Sequence, residues 1–511
     1  MDGRKLQLKM FTVIVDLDPR LIVPLDYTNN SVGVAKIALG RYNATITPRK
    51  GAVFVNPGGP GNPGVIGEDY DIIGFDPRGI GLSEPQTKCF IENGSREAFS
   101  ANTVLDRGYD VSPNLTDSYN RFHLIETQRD ANALDQAQFE VCAQTMGETI
   151  KYAGTTSVVR DIDFITTLLE GNDSLISLYG FSYGTIMGQY LINIFPDRVG
   201  RVVIDGVVDV NLWANKAPYQ QLHQWLNSTD ATYEVFIAEC TKAGPASCAL
   251  AQKDNEDPKD ILDRVERWID GLYNAPLAVP NAARPGILTN GRARLFIEGG
   301  LESPTGWPQI AAGIGGDAGR RRGGAKRREH AGARRPRALG GVVQRPAAVR
   351  AAQARDDRRR GPGARSGCQY WPVTPPERYL GPWNKTLSNP ILIISNTNDP
   401  ITPLVNGETA HGYFPNSSAL LVQNGPGHTS RALNSACTVF STRAYFADGT
   451  LPAAGTVCEV DESPFPPPSD STSSHSSATG VAAAVVDSKT RVLDYIHHMS
   501  ANKLHRAYGP S

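Results

Sequence analysis

The sequence predicts an α/β fold, in which a mostly parallel sheet has helices on both faces and carries an inserted helical cap. Three observations support this fold class. Short apolar runs recur before Gly-rich or Asp-containing turns, at residues 52–55, 71–75, 175–178, 201–205, 391–394 and 418–422. Amphipathic segments such as 158–169 separate them, and strands that alternate with helices form a parallel sheet covered on both faces. Between about 211 and 380 the strand pattern stops and aromatic residues recur at helical spacings, which is typical of a helical insertion.

The first part of the core is predicted over residues 21–210. Its opening stretch alternates apolar and polar positions as far as Leu39, which indicates a hairpin, and a buried strand follows at 52–55. The next residues, Asn56-Pro57-Gly58-Gly59-Pro60-Gly61, permit two interpretations. They form either a flexible Gly/Pro loop or a glycine-lined turn whose backbone N–H faces a substrate carbonyl.

Residues 174–186 predict a short buried strand, a sharp turn and the start of a helix. The turn, Gly180-Phe181-Ser182-Tyr183-Gly184, fits the G-x-S-x-G pattern, in which glycines relieve the crowding of a pinched backbone. The pinch lifts the Ser182 hydroxyl above the sheet edge and points the N–H of Tyr183 at a developing oxyanion. We therefore predict Ser182 as a nucleophile and assign the oxyanion hole to Gly59 and Tyr183. A purely structural Gly-rich turn is the alternative.

Two late apolar runs belong to a C-terminal part of the core, predicted over 381–461. Asp399 follows the first run and His428 the second, so the order along the chain is Ser, Asp, His. Taken singly, Asp399 before a proline is typical of a turn, and His428 is typical of a surface loop. Because the loops that follow parallel strands lie at one edge of a sheet, Ser182, Asp399 and His428 can converge there. We predict these three as the catalytic residues.

Another turn, after the strand at 71–75, contains two charged residues. Asp76 and Arg78 stand on either side of Pro77. A charged pair beside Pro and Gly ordinarily orders a turn. We therefore predict a structural pair that fixes the loop beneath the site, and no catalytic role.

Charge is distributed unevenly along the 511 residues, whose formal net charge is -1. Residues 311–366 contain 15 Arg and 1 Lys against 4 acidic residues, and Ala, Gly and Arg make up 39 of their 56 positions. Such a composition cannot bury enough apolar area to fold, so we predict disorder. An Arg-rich nucleic-acid tail is one interpretation. We favour the other, an out-of-frame translation of a GC-rich gene, which translation of the encoding DNA in its other two frames would test.

Sequons and cysteines predict a secreted glycoprotein. Eight Asn-x-Ser/Thr sequons occur, at Asn29, Asn43, Asn93, Asn114, Asn172, Asn227, Asn384 and Asn416. Two pairs of cysteines are spaced as local disulfides, Cys240 with Cys248 and Cys437 with Cys458. The pairing of the other three stays open: Cys89, Cys142 and Cys368. The N-terminal stretch shows no signal peptide, and no run of about 18 apolar residues suggests a membrane span.

Other features limit the partners. No His/Cys cluster has zinc spacing, so we expect no metal and no cofactor. We also expect no nucleic-acid partner and no membrane partner. The Pro- and Ser-rich tail, 462–511, is predicted as a disordered linker with a short terminal helix.

Five segments together resemble the secreted tripeptidyl aminopeptidase-like branch of the α/β-hydrolase peptidases, which are related to proline iminopeptidases. These segments are Asn56 to Gly61, Gly74 to Gly79, Gly180 to Gly184, Asn396 to Pro403 and Gly425 to Ser430. The resemblance implies an α/β-hydrolase fold and an exopeptidase that acts on peptides with free N-termini. It also implies Ser182 as nucleophile, His428 as base and Asp399 as the acid that orients it.

Two alternatives remain. A carboxylesterase of the same fold would use the same triad, and a faulty gene model would give a catalytically impaired product. An aminopeptidase needs an acidic group for the substrate ammonium, and the cap offers Glu234, Glu239, Glu266 and Glu298. Because 311–366 cannot stabilise a cap, we expect small activated esters to be hydrolysed better than peptides.

Overall fold

The computed structural model describes residues 20–56, 63–92, 94–280, 285–315, 370–371 and 373–467. Its strands are β1 (Arg20–Pro24), β2 (Val34–Tyr42), β3 (Gly51–Asn56), β4 (Tyr70–Phe75), β5 (Ile176–Phe181), β6 (Val199–Asp205), β7 (Leu277–Val279), β8 (Gly286–Leu288), β9 (Ile391–Asn398), β10 (Ser418–Pro426) and β11 (Val457–Glu459). Its helices are α1 (Pro63–Ile66), α2 (Ser95–Ser100), α3 (Val104–Arg107), α4 (Ser118–Met146), α5 (Thr155–Glu170), α6 (Tyr183–Ile194), α7 (Val210–Asn215), α8 (Pro218–Ser247), α9 (Pro258–Asn274), α10 (Asn290–Leu301), α11 (residues 307–315), α12 (Leu404–Tyr413) and α13 (Ala436–Asp448).

Nine of the described strands form one sheet, in the order β1-β2-β4-β3-β5-β6-β9-β10-β11. β1 pairs antiparallel with β2, as the alternating pattern predicts, and β2 pairs antiparallel with β4. The later neighbours in this order are parallel. The prediction of a mostly parallel sheet is confirmed. The carboxyl ends of β5, β6, β9 and β10 therefore lie side by side at one edge.

Helices cover both faces of this sheet, because its central strands are apolar on both sides. All six residues of β5 are buried. On one face α5 and α6 pack through residues that include Val159, Ile162 and Met187. On the other face α13 packs through Tyr445 and Phe446. This burial on two sides fixes the strand ends from which the site is built.

The cap surrounds an apolar core of its own. That core joins α8, α9, α10 and α11 and contains Phe236, Trp268 and Trp307. The prediction of an all-helical insertion is wrong in one respect, because β7 and β8 pair antiparallel within it. Strands of three residues are too short to give a periodic signal in the sequence.

The start of the Arg-rich segment belongs to the cap core. Ala311 and Ile314 are 0% and 1% exposed. They lie on α11 three residues apart and next to Ile310, so they share one face of the helix. The prediction of disorder over 311–366 is therefore wrong for its first five residues. Residues 316–366 lie outside the described residues.

The start of the C-terminal tail also belongs to the cap core. The Phe465 ring lies 5.9 Å from the ring of Phe236 and 6.3 Å from that of Trp307, measured between centroids. The prediction of a disordered tail over 462–511 is therefore wrong at its beginning. Residues 468–511 lie outside the described residues.

Three disulfides join the described cysteines: Cys89 with Cys142, Cys240 with Cys248 and Cys437 with Cys458. The two local pairs confirm the prediction, and the first answers a pairing that the sequence leaves open. Cys368 lies outside the described residues. Disulfides persist in oxidising compartments, so this set fits an extracellular protein.

Two surface features bear on secretion. The seven sequon asparagines that the structure describes are all exposed, and Asn93 lies outside it. Among the described helices, none is long and apolar enough to cross a membrane. Glycosylation and secretion stay predictions.

The buried charge pair differs from the predicted one. Nε and Nη2 of Arg78 each donate to the Asp161 carboxylate of α5 at 2.7 Å, and the Tyr27 hydroxyl donates to the same group at 2.8 Å. Asp76 accepts from the backbone N–H of Leu82 at 2.8 Å. The prediction that Asp76 pairs with Arg78 is wrong, because the fold brings a carboxylate from a distant helix to the guanidinium. Arg78 has the structural role that the sequence predicts.

Candidate active site

Ser182 stands on a sharp turn between β5 and α6. Its φ of 53° is unusual for a residue other than glycine. The turn requires glycine on both sides: a Cβ on Gly180 would lie 2.2 Å from the carbonyl oxygen of Gly184, and a Cβ on Gly184 would lie 2.8 Å from that of Asn56. The G-x-S-x-G sequence thus folds as the pinched strand-turn-helix expected of a nucleophile elbow.

Asp399 follows β9 and is completely buried. Its carboxylate accepts hydrogen bonds from the backbone N–H groups of Ile401 (2.9 Å), Thr402 (2.8 Å) and Thr429 (2.9 Å), and from the Thr402 hydroxyl (2.7 Å). Burial alone would raise the pKa of Asp399, but the charge of His428 and these donors hold it below its ordinary value of 3.8. The carboxylate is therefore kept ionised.

His428 follows β10, and its Nδ1 lies 3.0 Å from both oxygens of the Asp399 carboxylate. Burial lowers the pKa of His428, but the charge and hydrogen bond of Asp399 outweigh burial and raise it above 6.5. The contact assigns a proton to Nδ1 and leaves Nε2 as the basic nitrogen. The His428 side chain remains 15% exposed while that of Asp399 is 0% exposed, so the imidazole forms the accessible end of the pair.

Ser182 and His428 are connected through Asp205, the last residue of β6. The backbone N–H of Ser182 donates to the Asp205 carbonyl at 3.0 Å, and the Asp205 carboxylate accepts from the N–H of Ser430 at 2.9 Å. Within the described residues, no hydrogen bond joins Ser182 Oγ to the imidazole. Catalytic hydrogen bonds are often long before substrate binds. The structure thus brings the three predicted residues to one edge of the sheet.

The predicted oxyanion hole is described in part. Tyr183 is the first residue of α6, so its backbone N–H belongs to the first turn, where N–H groups have no partner within the helix. Its hydroxyl lies 3.1 Å from that of Thr155. Gly59 lies in 57–62, outside the described residues, and its assignment stays a prediction.

The four acidic residues that the cap offers have different environments. Glu266 is buried and paired with Arg294 at 3.1 Å, and Glu239 pairs with Lys242 at 2.6 Å. Glu234 is exposed, and Glu298 is half-buried on α10. Among the described residues, no three His, Cys, Asp or Glu side chains are grouped so that they could hold a metal ion.

Glu302, which sequence reasoning missed, lies beside the histidine. It follows α10, four residues after Glu298, and its carbonyl oxygen accepts from the backbone N–H of His428 at 2.9 Å. Its half-buried carboxylate has no hydrogen-bond or salt-bridge partner among the described residues. Burial raises the pKa of Glu302, while the charge of His428 opposes the rise. The usable signal was its spacing of four from Glu298, which places both on one helix face.

Thr402 and Asp205 were also missed by sequence reasoning. Thr402 comes three residues after Asp399, and its hydroxyl donates to that carboxylate. Asp205 ends a strand that the sequence indicates only as buried. A polar residue at the carboxyl end of a parallel strand was the available signal for Asp205.

Comparisons with known proteins agree with the fold. Residues 51–242 match the family model of the alpha/beta hydrolase fold, and residues 358–458 match that of the TAP-like proteins. Serine protease Hip1 from Mycobacterium tuberculosis is 27% identical over 485 residues, 86% of this chain and 86% of that protein. Tripeptidyl aminopeptidase from Streptomyces lividans is 28% identical over 242 residues, 42% of this chain and 41% of that protein. Carboxylesterase B from Mycobacterium tuberculosis is 26% identical over 478 residues, 85% of each chain. The chain therefore has the α/β-hydrolase fold and is a hydrolase, and its C-terminal part is similar to the TAP-like proteins.

Proposed function

We propose that the chain is a serine exopeptidase that releases short peptides, such as tripeptides, from the free N-termini of peptide substrates. One observation carries the proposal: buried Asp399 orients His428 at the sheet edge where Ser182 stands on its strained turn. This arrangement suits acyl transfer through a covalent acyl-enzyme. The similarity to a serine protease and to a tripeptidyl aminopeptidase supports a peptide substrate.

In the acylation step, Nε2 of neutral His428 accepts the proton of Ser182 Oγ while that oxygen attacks the scissile carbonyl carbon. The carbonyl oxygen becomes an oxyanion, which the N–H of Tyr183 and, by our prediction, that of Gly59 stabilise. Asp399 accepts from Nδ1 and stabilises the imidazolium. The imidazolium then protonates the leaving amine, the C–N bond breaks, and the acyl-enzyme remains.

In the deacylation step, water takes the place of the amine. His428 removes a proton from this water, whose oxygen attacks the acyl carbon, and the bond to Ser182 Oγ breaks as that oxygen regains a proton. The released acid is the short N-terminal peptide, and His428 is neutral again.

An exopeptidase that acts on free N-termini needs a negative group for the substrate ammonium, and we assign this role to Glu302. Its backbone is hydrogen-bonded to that of His428, and its carboxylate is close enough to the imidazole for the charge of His428 to act on it. A half-buried carboxylate without a protein partner is costly unless a cation completes it. Glu298, one turn earlier on α10, adds negative charge near Glu302. The paired Glu266 and Glu239 are less suited, because each already has a cationic partner.

A carboxylesterase is the second candidate. The observation in its favour is the similarity to carboxylesterase B, which extends over 85% of the chain. The same serine, histidine and aspartate act on esters and amides alike. The substrate assay below separates the two functions, and it also tests whether activated esters are hydrolysed better than peptides.

The first test compares wild type with Ser182→Ala on a tripeptidyl chromogenic amide, its N-acetylated form and an activated ester. We expect wild type to cleave the free-amine peptide in preference to the blocked one, and Ser182→Ala to lose turnover by about 10⁶-fold. Turnover by the variant at the wild-type rate would refute the mechanism. Hydrolysis of the ester alone would favour the carboxylesterase.

The second test is Glu302→Gln, which keeps the shape of the side chain and removes its charge. We expect KM for the free-amine peptide to rise by about tenfold to 100-fold, because a hydrogen bond to a charged group is worth about 1.5–3 kcal/mol. At a pH above the acid limb of His428, the blocked peptide and the ester should be unaffected, and the control Glu239→Gln should behave as wild type. Equal losses on all three substrates would show that Glu302 acts on His428 and not on the ammonium.

A further inference from the structure

Asp205 contacts both halves of the proposed catalytic site. Its backbone carbonyl accepts from the N–H of Ser182 at 3.0 Å. Its carboxylate accepts from the Ser430 N–H at 2.9 Å and also from the Ser430 hydroxyl. Ser430 belongs to the His428 loop, which we define as residues 427–431. Asp205 therefore connects the turn that carries Ser182 to the loop that carries His428, although the two are far apart in the sequence.

The Asp205 carboxylate is buried among polar and charged groups. Its side chain is 0% exposed. The Tyr179 hydroxyl of β5 lies 3.4 Å from its carboxylate. The guanidinium of Arg431, which supplies an opposite charge from the His428 loop, lies 5.4 Å from the ring of Phe181. The other charged groups that act on Asp205 and the His428 loop are Asp399, after β9, Glu302, after α10, and His428 itself. A fully buried carboxylate with these partners is costly to retain for packing alone.

We propose that Asp205 is a positioning residue that holds the His428 loop against the Ser182 turn, and that its carboxylate must be ionised to do so. The inference rests on the proposed hydrolase mechanism. An ionised carboxylate accepts hydrogen bonds at both oxygens, so it can take the N–H and the hydroxyl of Ser430 together. A protonated carboxyl group turns one of these oxygens into a donor, so the Ser430 hydroxyl can no longer donate to it, and the loop exchanges a charge-assisted hydrogen bond for a weaker neutral one.

Protonation of Asp205 falls in a range where it can be observed. Burial raises the pKa of Asp205 to about 6, against the opposing hydrogen bonds of Ser430. Activity should require both Asp205 and His428 to be deprotonated. Log kcat/KM should then fall with a slope approaching two below about pH 6, where a single essential base would give a slope of one. The negative charge of Asp205 also raises the pKa of His428, so removing that charge should move the acid limb to lower pH.

The test measures kcat, KM and the pH profile of wild type and Asp205→Asn on an activated ester, which avoids any contribution from the substrate ammonium. Asn keeps the volume of the side chain and cannot ionise. We expect kcat to fall by about 10–100-fold with KM nearly unchanged, because a displacement of about 1 Å of a catalytic group costs about that much. The acid limb should change its slope to one. A variant with wild-type kcat and an unchanged slope would overturn the inference.

Two further variants keep the test decisive. Asp71→Asn is a control for loss of a buried carboxylate: Asp71 lies near the amino end of β4, accepts from the Ala44 N–H and pairs with Arg41 and Arg49. It should lower stability without changing the pH slope. Ser430→Ala removes one donor to Asp205 and should give a smaller loss in kcat than Asp205→Asn. It replaces Asp205→Asn in the test if that variant does not fold.

A slope of one in the acid limb of wild type would overturn the proposal without any variant. An inactive Ser182→Ala beside an unaffected Asp205→Asn would retain the hydrolase and reject only the role of Asp205.

Discussion

Replacing Asp399 by Asn tests the centre of the proposed mechanism, because the two side chains share a shape and differ in charge and hydrogen bonding. Buried Asp399 accepts from five donors: the N–H groups of Ile401, Thr402 and Thr429, the Thr402 hydroxyl and His428 Nδ1. Asn accepts with one of its two terminal atoms, so its amide group must face at least one buried N–H. That conflict should cost about 1–3 kcal/mol in the free energy of unfolding.

The larger effect should be on catalysis. His428 Nδ1 lies 3.0 Å from both carboxylate oxygens, so the amide of Asn lies near it in either orientation. The amide then donates to Nδ1, and the ring carries its proton on Nε2, where it cannot accept one from Ser182. Loss of tautomer control in a Ser-His-Asp site lowers kcat by about 10⁴-fold, which is about 5.4 kcal/mol in the activation free energy.

The pH profile should change in the same variant. The charge of Asp399 holds the pKa of His428 above 6.5 in spite of burial, and His428 must be neutral to act as a base. Wild-type activity therefore falls as the pH drops through this raised pKa. Without the charge the pKa of His428 decreases, so the acid limb of kcat/KM should lie at lower pH in Asp399→Asn than in wild type.

The assay measures kcat and KM on an activated ester across pH, with unfolding in urea to confirm that the variant is folded. Asp163→Asn is the control, since Asp163 is a half-buried carboxylate on α5 that pairs with Arg198 and not with His428. It should retain wild-type kcat. A loss in Asp399→Asn below about 10²-fold, with the pH profile unchanged, would refute the assignment of the tautomer.

Two other substitutions probe the groups that support the site and the core. Thr402→Val removes the hydroxyl that donates to Asp399 at 2.7 Å and should lower kcat by about tenfold or more, since such a bond is worth about 1.5–3 kcal/mol. Thr402→Ser should restore activity, and wild-type kcat in the Val variant would contradict the role given to Thr402. Arg78→Met leaves the buried Asp161 without its cation and should lower the free energy of unfolding in urea by about 3–5 kcal/mol. Adding Asp161→Asn should recover part of this loss, and an equal loss in both variants would locate the cause outside the ion pair.

The sequence could predict where Ser182, Asp399 and His428 lie because each follows an apolar strand in a turn with a local signature. Their supporting residues carry no such signature. Asp205 and Thr402 matter through bonds to residues that only the fold brings near, and a lone Asp or Thr after a strand is common for other reasons. Arg78 shows the same limit, since its partner could not be read from neighbouring residues.

The cap shows that the average composition of a segment does not predict the burial of each residue in it. The composition of 311–366 excludes a stable core for the segment as a whole, yet Ala311 and Ile314 continue a helix that begins before it. Phe465 is an isolated aromatic residue between prolines in a polar stretch, with no periodicity to show that it is buried. Burial in both places is decided by neighbours distant in sequence.

The position of Phe465 has a consequence for biosynthesis. The cap is inserted between β6 and β9, yet its core includes a ring that follows β11 in the chain. During translation the cap helices leave the ribosome long before residue 465 does. Their apolar faces therefore stay partly uncovered until nearly the whole hydrolase core has been made. Contacts of such large sequence separation slow folding, and exposed apolar surface invites aggregation in the meantime. A nascent chain halted before Phe465 would present Trp307 and Phe236 to chaperones.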